Sequence, residues 1–296
     1  MTCYHPIKGY RARDGSLTFS KKQSTGIKQE AACGQCIGCR LARSGAWALR
    51  CIHEASLYED NCFITLTYDD ENLPHDGSLL KSDFQKFMKR LRKQNEHKIR
   101  YYQCGEYGEQ FGRPHYHACL FNHDFKDFEP YQENEQGDIV FTSEALSNTW
   151  GKGFTTVAPL TYETAAYTAR YILKKILGDR AGEHYLKTNP ITGEVHEVEP
   201  EYNTMSRRPG IGIEWYEKHK TDCHPSDFIT HKGKKYPIPI YYDTLLKRSS
   251  PEDLERIKDL RKQKLGKHKK DLTPERLAVR EKVKKAQINQ LNRTLT

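Results

Sequence analysis

The sequence predicts an α+β fold: a central antiparallel β-sheet flanked by helices, followed by a basic and mostly helical C-terminal region. Three observations support this. Segments rich in β-branched and aromatic residues alternate between apolar and polar, as strands do, and they are interspersed with amphipathic segments at helical spacing. Strands and helices do not alternate as strictly as a parallel sheet requires. Residues 231–296 carry nineteen Lys and Arg against eight Asp and Glu.

The strand predictions rest on period-2 alternation and on turn-forming residues at the ends of each run. The first thirty residues are polar and are expected to be extended or looped. The acidic segment 122–144 is expected to be a loop, and Pro237 and Pro239 keep their segment extended or irregular. Strands are predicted over 62–68, 99–105, 115–121 and 154–158.

The helix predictions rest on apolar residues at intervals of three and four. Ser82 is expected to begin one helix, with Gln85 completing a capping box. Pro251 and Pro274 suit the first position of two C-terminal helices, and Gly178 suits the end of another. Helices are predicted over 40–58, from Ser82, and over 144–150, 162–177, 251–265 and 274–292.

The charge is unevenly distributed. The whole chain has a net charge of +9 and a mean hydropathy of −0.85, yet residues 1–230 hold slightly more acidic than basic residues. This predicts a near-neutral body, 1–230, and a basic C-terminal region, 231–296, that binds a polyanion, with nucleic acid favoured. The alternative is a solvated tail that only confers solubility. No membrane-spanning run or signal peptide is visible, and nine cysteines favour a reducing cytosol.

Two histidines lie on the predicted strand 115–121. His115 and His117 project from one face about 6.6 Å apart, a separation that suits one divalent ion. Glu106, with Glu109 as the fallback, follows the neighbouring strand and would add an oxygen ligand, which favours Mg²⁺ or Mn²⁺. The alternative is a half-exposed strand with two polar residues.

Two tyrosines share a face of the predicted helix 162–177. Tyr167 and Tyr171 lie about 6 Å apart along the helix axis, and Lys174 continues the stripe. A phenol becomes a useful nucleophile when a metal polarises the electrophile or a cation favours the phenolate. Such a tyrosine can attack a DNA phosphodiester and conserve the bond energy for rejoining. The alternative is that both rings merely pack against the sheet.

The combination of motifs resembles a known family. Phe63–Tyr68, then Arg113-Pro114-His115-Tyr116-His117, then Tyr167-x3-Tyr171-x2-Lys174 are similar to the three motifs of HUH endonucleases that start rolling-circle DNA replication. Cys33–Arg40, Gly105–Gly108 and Met205–Gly212 narrow the resemblance to the replication initiators of gokushoviruses, which are small single-stranded DNA phages of the microvirus group. The resemblance covers about residues 33–245.

This resemblance implies an HUH (RRM-like) antiparallel sheet, a Mg²⁺ or Mn²⁺ cofactor, and nicking of origin DNA with capture of a 5′-phosphotyrosine. By position, His115 and His117 become metal ligands with Glu106, Tyr171 and Tyr167 become nucleophiles, and Lys174 contacts the scissile phosphate or orients the phenol. Arg113, Arg207 and Arg208 are the expected DNA contacts. No helicase nucleotide-binding motif is present in the sequence, so a host helicase and polymerase are expected partners in the host bacterial cytoplasm.

A cysteine cluster stands apart from these motifs. Cys33, Cys36 and Cys39 are spaced as ligands of a tetrahedral Zn²⁺, and Cys3 or His5 could supply the fourth ligand. An iron–sulfur cluster and free thiols are the alternatives. The five remaining cysteines are expected in the core.

The leading hypothesis is therefore a nicking and joining enzyme. The first alternative is a non-catalytic nucleic-acid-binding protein that assists replication or packaging, and the second is an HUH transposase or relaxase. The charge pattern suits all of them, whereas only an enzyme accounts for the histidines and tyrosines together.

Overall fold

The structure of the chain is a computed structural model, and it describes six continuous ranges of residues. They are 3–108, 112–133, 139–171, 181–188, 193–267 and 269–290, with the backbone alone at Tyr171, Ala181 and Lys269. The chain divides into two compact units, one drawn from 1–43 and 243–293 and the other from 44–242. No helix in the described ranges is long and apolar enough to cross a membrane.

The elements of the described residues are numbered in chain order. The strands are β1 (Ile7–Ala12), β2 (Leu17–Thr18), β3 (Ser24–Ala31), β4 (Asn61–Thr67), β5 (Arg100–Tyr107), β6 (Pro114–Phe121), β7 (Phe128–Glu133), β8 (Ile139–Ser143), β9 (Thr155–Pro159), β10 (Leu186–Thr188), β11 (Val195–Glu197), β12 (Tyr202–Met205), β13 (Ile229–His231) and β14 (Lys234–Tyr236). The helices are α1 (Ile37–Ala55), α2 (Lys81–Lys93), α3 (Glu144–Trp150), α4 (Tyr162–Tyr171), α5 (Ala181–His184), α6 (Ile213–Cys223), α7 (Ile240–Ser249), α8 (Pro251–Gly266) and α9 (Pro274–Asn289).

A seven-stranded antiparallel sheet forms the centre of the larger unit. Its strand order is β12-β5-β6-β4-β9-β8-β7, so β6 lies in the interior between β5 and β4. Seven of the eight residues of β6 are buried, because both edges and both faces of this strand are covered. The predicted α+β class with a central antiparallel sheet flanked by helices is confirmed.

The two faces of the sheet carry separate cores. On one face Ile64, Leu66 and Tyr116 pack with apolar residues of α2 and α3. On the other face Phe63 and Cys119 pack with small residues of α1 and α4. The alternation of strand side chains produces this division, since Tyr116 enters one core while its neighbours face the other.

Small residues let α4 approach the sheet closely. Ala165, Thr168 and Ala169 are buried on its inner face, and Ser44 of α1 donates a hydrogen bond to the carbonyl of Ala166 at 2.8 Å. The helix therefore lies on the face toward which the two histidines of β6 point, with Tyr167 in the middle of its described part.

Two segments without predicted strands contain sheet structure. Residues 7–31, expected to be extended or looped, form a three-stranded sheet of order β2-β1-β3, which the sequence pattern did not indicate. The segment 122–144 contains the β7–β8 hairpin, so its prediction as a loop was wrong. Both sets of strands are polar and largely exposed, and they lack the apolar alternation by which a strand is recognised from sequence.

The start of α2 also differs from the prediction. The helix begins at Lys81 rather than Ser82, and Leu80 precedes it without a side-chain cap. The hydroxyl of Tyr116 accepts the N–H of Leu80 and contacts its carbonyl, both at 3.0 Å. A tertiary contact thus replaces the expected capping box.

The remaining boundaries agree within a few residues where they can be compared. The helix predicted over 144–150 is confirmed as α3, and Pro251 and Pro274 begin α8 and α9 as expected. The helix predicted over 162–177 is observed to Tyr171, and its remainder, like residues 291 and 292 of the last helix, lies outside the described residues. The helices α6 and α7 and the short strands after residue 185 were not predicted.

The smaller unit combines the N-terminal sheet with the C-terminal helices. In it, His5 contacts Glu281 at 2.8 Å, and Arg261 pairs with Asp243 at 2.6 Å. The mostly helical character predicted for the C-terminal region is confirmed, whereas a domain boundary at residue 230 stays a prediction.

Candidate active site

Strand register brings the first three predicted ligands together. In the antiparallel pair of β5 and β6, Glu106 lies directly opposite His115. His117 is two residues further along β6 and therefore points to the same face. Their three ligand atoms lie within 4.8 Å of one another.

Glu106 links the two imidazole rings. Its Oε1 lies 2.7 Å from Nε2 of His115 and 2.9 Å from Nε2 of His117. The side chains of Glu106 and His117 are 2% and 0% exposed, while that of His115 is 15% exposed. The cluster is therefore buried at its base and opens to solvent at His115.

The second nitrogen of each ring is also engaged. Nδ1 of His115 lies 3.0 Å from the carbonyl of Arg113, and Nδ1 of His117 lies 3.0 Å from Oγ1 of Thr65. A carbonyl can only accept, so Nδ1 of His115 carries a proton and Nε2 is left to bind either a second proton or a metal. A carboxylate facing a bare imidazole lone pair would be repelled, so a cation belongs between them.

The remaining oxygen of Glu106 supports a metal-binding role. Oε2 is buried and has no hydrogen-bond partner among the described residues. Burial raises the pKa of Glu106, but the hydrogen bonds from His115 and His117 outweigh it, and the net pKa lies below the usual value. Two imidazoles, one ionised carboxylate and an unused oxygen fit a divalent ion with open positions.

Tyr167 lies against this cluster. Its ring meets that of His117 edge-on, with centroids 5.0 Å apart and planes at 86°. Phe63 stacks on the same imidazole at 5.6 Å and meets Tyr167 edge-on. The tyrosine helix therefore places one phenol beside the ligand cluster, on the face of the sheet that packs against small residues.

The other predicted catalytic residues are described only in part. Tyr171 is the last residue of α4, one turn beyond Tyr167, and its side chain lies outside the described residues, as do Lys174 and Glu109. For these three positions the sequence prediction stands as a prediction.

Arg113 lies at the mouth of the cluster. Its carbonyl accepts from His115, and its Nη2 pairs with Asp70, while Nε has no hydrogen-bond partner among the described residues. Its side chain is 37% exposed, so the cation is accessible beside the histidines.

Two supporting residues were not singled out from the sequence. Thr65 holds Nδ1 of His117, and Phe63 packs on its ring. Both belong to the Phe63–Tyr68 strand motif, which was expected only to support the site. The signal was available in register, since Thr65 pairs directly with His117 across the sheet.

Arg207 and Arg208 lie far from the cluster. Both are exposed in the turn after β12, where the N–H of Ser206 bonds to the carbonyl of Tyr101. That is the opposite end of β5 from Glu106, about 20 Å away at the rise of a strand. The structure does not bring these arginines to the histidines.

The cysteine cluster assembles in the smaller unit. The sulfurs of Cys3, Cys33, Cys36 and Cys39 lie within 4.8 Å of one another. Of the two candidates for the fourth position, Cys3 joins the cluster and His5 contacts Glu281 instead. The other five cysteines are buried core residues, as expected.

Comparisons with known proteins agree with this picture. Residues 61–176 match the family of replication-associated proteins of the ORF2 and gene 2 protein type, a span that includes the cluster and the tyrosine helix. The chain is similar to replication-associated protein VP4 of Bdellovibrio phage phiMH2K, with 34% identity over 85% of this chain and 79% of that protein. It is also similar to replication-associated protein ORF2 of Spiroplasma virus 4, with 32% identity over 88% of this chain and 86% of that protein.

A third relative, replication-associated protein ORF4 of Chlamydia phage 1, is 28% identical over 75% of this chain and 55% of its own length. No solved structure matches the chain. Because the first two relatives match over most of both chains, the chain belongs to the family of microvirus replication-associated proteins, as a replication initiator of the gokushovirus type.

Proposed function

We propose that this replication initiator is a metal-dependent, site-specific endonuclease and strand transferase that nicks single-stranded DNA at the phage origin and later rejoins it. The observation that carries the proposal is the position of Tyr167, whose ring lies 5.0 Å from that of His117. A phenol next to a buried carboxylate and two imidazoles combines a nucleophile with a site for the cation that activates its target.

In this reaction Glu106, His115 and His117 hold Mg²⁺ or Mn²⁺. When bound, the ion neutralises charge on the scissile phosphate and makes its phosphorus more electrophilic. The buried base of the cluster fixes the three ligands before substrate arrives, since Thr65 and the Arg113 carbonyl orient the two rings.

Tyr167 supplies the nucleophilic oxygen. Its Oη loses a proton and forms a bond to phosphorus, while the bond from phosphorus to the 3′ oxygen breaks. That oxygen takes up a proton and becomes a free 3′-hydroxyl, and the 5′ phosphate stays on the tyrosine. One phosphodiester replaces another, so the reverse attack by a 3′-hydroxyl rejoins DNA without an energy source.

Tyr171 is the second nucleophile in this proposal. It lies four residues after Tyr167 on α4, so both belong to one helix stripe. One tyrosine can keep a DNA end while the other cleaves the next copy, and Lys174 provides a cation for the phosphate.

Arginines guide the strand to the site. Arg113 is accessible beside His115 and contacts the phosphate backbone near the cut, whereas Arg207 and Arg208 hold the strand about 20 Å away. Unwinding and synthesis fall to a host helicase and polymerase, and the reaction takes place in the host cytoplasm.

A covalent-adduct assay tests the proposal. The protein is incubated with Mn²⁺ and an origin-derived oligonucleotide labelled on the 3′ side of the cut, then analysed under denaturing conditions. We expect a labelled protein band that requires the metal. Changing both Tyr167 and Tyr171 to Phe should abolish the band and leave binding to the uncleaved oligonucleotide intact.

Matched variants separate chemistry from folding. Tyr162→Phe changes another tyrosine of α4, whose ring packs on Tyr236 away from the cluster, and should preserve the adduct. His117→Ala should lower metal-dependent cleavage at least tenfold, while His123→Gln, two residues beyond β6, should not. If wild type forms no adduct with any strand of the phage genome, the protein is a non-catalytic binding protein and the proposal fails.

A further inference from the structure

We propose that Cys3, Cys33, Cys36 and Cys39 bind one structural Zn²⁺ that holds the N-terminal sheet together. This site lies wholly in the smaller unit and does not depend on the proposed nuclease activity. Its four sulfurs come from two segments of chain that are thirty residues apart, so their meeting is a tertiary event rather than a consequence of local spacing.

The distances between the sulfurs suit a single tetrahedral ion. Sγ of Cys3 lies 3.6 Å from that of Cys33 and 4.0 Å from that of Cys36, and Cys33 and Cys39 are 4.0 Å apart. Zinc–sulfur bonds of about 2.3 Å give a tetrahedron with edges of about 3.8 Å. A disulfide would need about 2.05 Å between two sulfurs. An iron–sulfur cluster would place several atoms between the cysteines, and a spread of 4.8 Å leaves room for one ion.

Backbone N–H groups point at the sulfurs. Cys3 accepts from the N–H of Cys33 at 3.2 Å, Cys33 from that of Cys36 at 3.3 Å, and Cys36 from that of Tyr4 at 3.3 Å. Such bonds stabilise thiolates, the form of cysteine that binds metal. The positive φ of Gly34 makes the turn that lets Cys33 and Cys36 face the same point.

The start of α1 adds to this preference. Cys36 immediately precedes the helix, its carbonyl accepts the N–H of Arg40, and Cys39 lies in the first turn. The positive end of the helix dipole therefore faces two of the sulfurs and stabilises their negative charge.

The sheet has no apolar core of its own that could replace the metal. No residue of β1, β2 or β3 is buried. The buried residues at its base are the cysteines themselves, with Cys3 at 1% and Cys36 and Cys39 at 8% exposure. A small sheet without a core needs a cross-link, and Zn²⁺ supplies one in a reducing compartment where a disulfide would not persist.

The geometry also defines what the ion connects. Cys3 lies four residues before β1 and Cys33 two residues after β3, and Ile7 pairs with Ala31 where the two strands leave the sheet. The metal thus closes the open end of the sheet and joins it to the first turn of α1.

Metal analysis of the full-length protein tests the site. The wild-type chain purified from zinc-supplemented culture should contain one Zn²⁺ per chain that survives dialysis. Co²⁺ exchanged into the site should give the intense visible bands of tetrahedral thiolate coordination. His117→Ala should retain the zinc, which separates this site from the proposed nuclease metal.

Two cysteine variants provide the comparison. Cys39→Ser should reduce the bound zinc to background, whereas Cys223→Ser, which removes a cysteine buried in the larger unit, should not. Since Cys39→Ser could also unfold the smaller unit, thiol alkylation of the wild type gives a second measurement. Cys3, Cys33, Cys36 and Cys39 should become reactive only after a strong chelator is added. Zinc-free wild type whose four thiols react equally with and without added Zn²⁺, or protein that holds iron instead, would overturn the assignment.

Discussion

Replacing Glu54 with Ala should destabilise the larger unit strongly. Glu54 and Arg100 form an ion pair through Oε1 and Nε, and each side chain is only 2% exposed. The other carboxylate oxygen accepts the N–H of Gly212 at 2.6 Å, and Arg100 donates to the carbonyl of Pro209 at 2.9 Å. The pair therefore anchors the Arg207-Arg208 turn to the sheet.

The expected loss follows from what the change leaves behind. Without the carboxylate, the guanidinium of Arg100 stays buried without its counter-ion, which costs about 3–5 kcal/mol. The N–H of Gly212 loses its acceptor as well, but the two effects share one partner and are not simply additive. A loss of about 4 kcal/mol shifts the unfolding equilibrium roughly a thousandfold.

Urea unfolding followed by tryptophan fluorescence measures this loss. All three tryptophans, Trp47, Trp150 and Trp215, lie in the larger unit, so the signal reports on the unit that contains the ion pair. Asp60→Ala, which breaks an exposed pair with Lys126, is the control and should leave the midpoint within experimental error.

The apolar double variant sharpens the test. Nη1 of Arg100 has no hydrogen-bond partner among the described residues, so the buried pair is incompletely compensated. Glu54→Leu combined with Arg100→Met should therefore recover most of the stability lost by Glu54→Ala. A loss below about 1 kcal/mol in Glu54→Ala, or a double variant as unstable as the single one, would refute the reasoning.

Three further outcomes are expected. Burial lowers the pKa of His53 to about 3, so below the ordinary value of about 6.5 the unfolded chain binds a proton that the folded chain does not. Stability should therefore fall by about 2 kcal/mol from pH 7 to pH 5, and His53→Gln should flatten this slope in urea titrations. Tyr116→Phe should cost about 1–3 kcal/mol, because it leaves the N–H of Leu80 and the hydroxyl of Tyr68 without their partner; an unchanged urea midpoint would contradict this. Neutralising exposed lysines of the C-terminal region should weaken DNA binding for all sequences and lower its salt dependence, as measured by titrations at several salt concentrations, without loss of adduct at saturating oligonucleotide. The lysines are Lys264, Lys267 and Lys282.

Substitution is a better test of the C-terminal charges than deletion. Leu246, Leu254 and Ile257 form a small core, and the smaller unit combines this region with the first 43 residues. Removing the helices would also remove that core, so an effect on activity could not be assigned to charge.

Much of the candidate site could be predicted from the sequence because it depends on local periodicity. A strand with two histidines two residues apart must present both on one face, and a helix with tyrosines four residues apart must present both on one stripe. Glu106 was a less secure choice, since proximity to His115 requires a particular register between β5 and β6. Register depends on the pairing of entire strands, and no single residue of the sequence reports it.

Other features escaped prediction for the same physical reason. The N-terminal strands and the β7–β8 hairpin are held by pairing and by neighbouring elements rather than by an apolar pattern. The start of α2 is set by Tyr116, whose hydroxyl meets Leu80 from thirty-six residues away along the chain. Polar segments have weak intrinsic preferences, so tertiary contacts decide their conformation.

The sequence by itself determined the α+β class, the face on which the histidines lie and the stripe that Tyr167 shares with Tyr171. Those features follow from the periods of strand and helix, which act over a few residues. Only the tertiary structure decided that Glu106 bridges the histidines, that Cys3 rather than His5 completes the sulfur cluster, and that Arg207 and Arg208 lie at the far end of β5. Each of these depends on which distant segments pair, and the free energy of that choice is shared by the whole sheet.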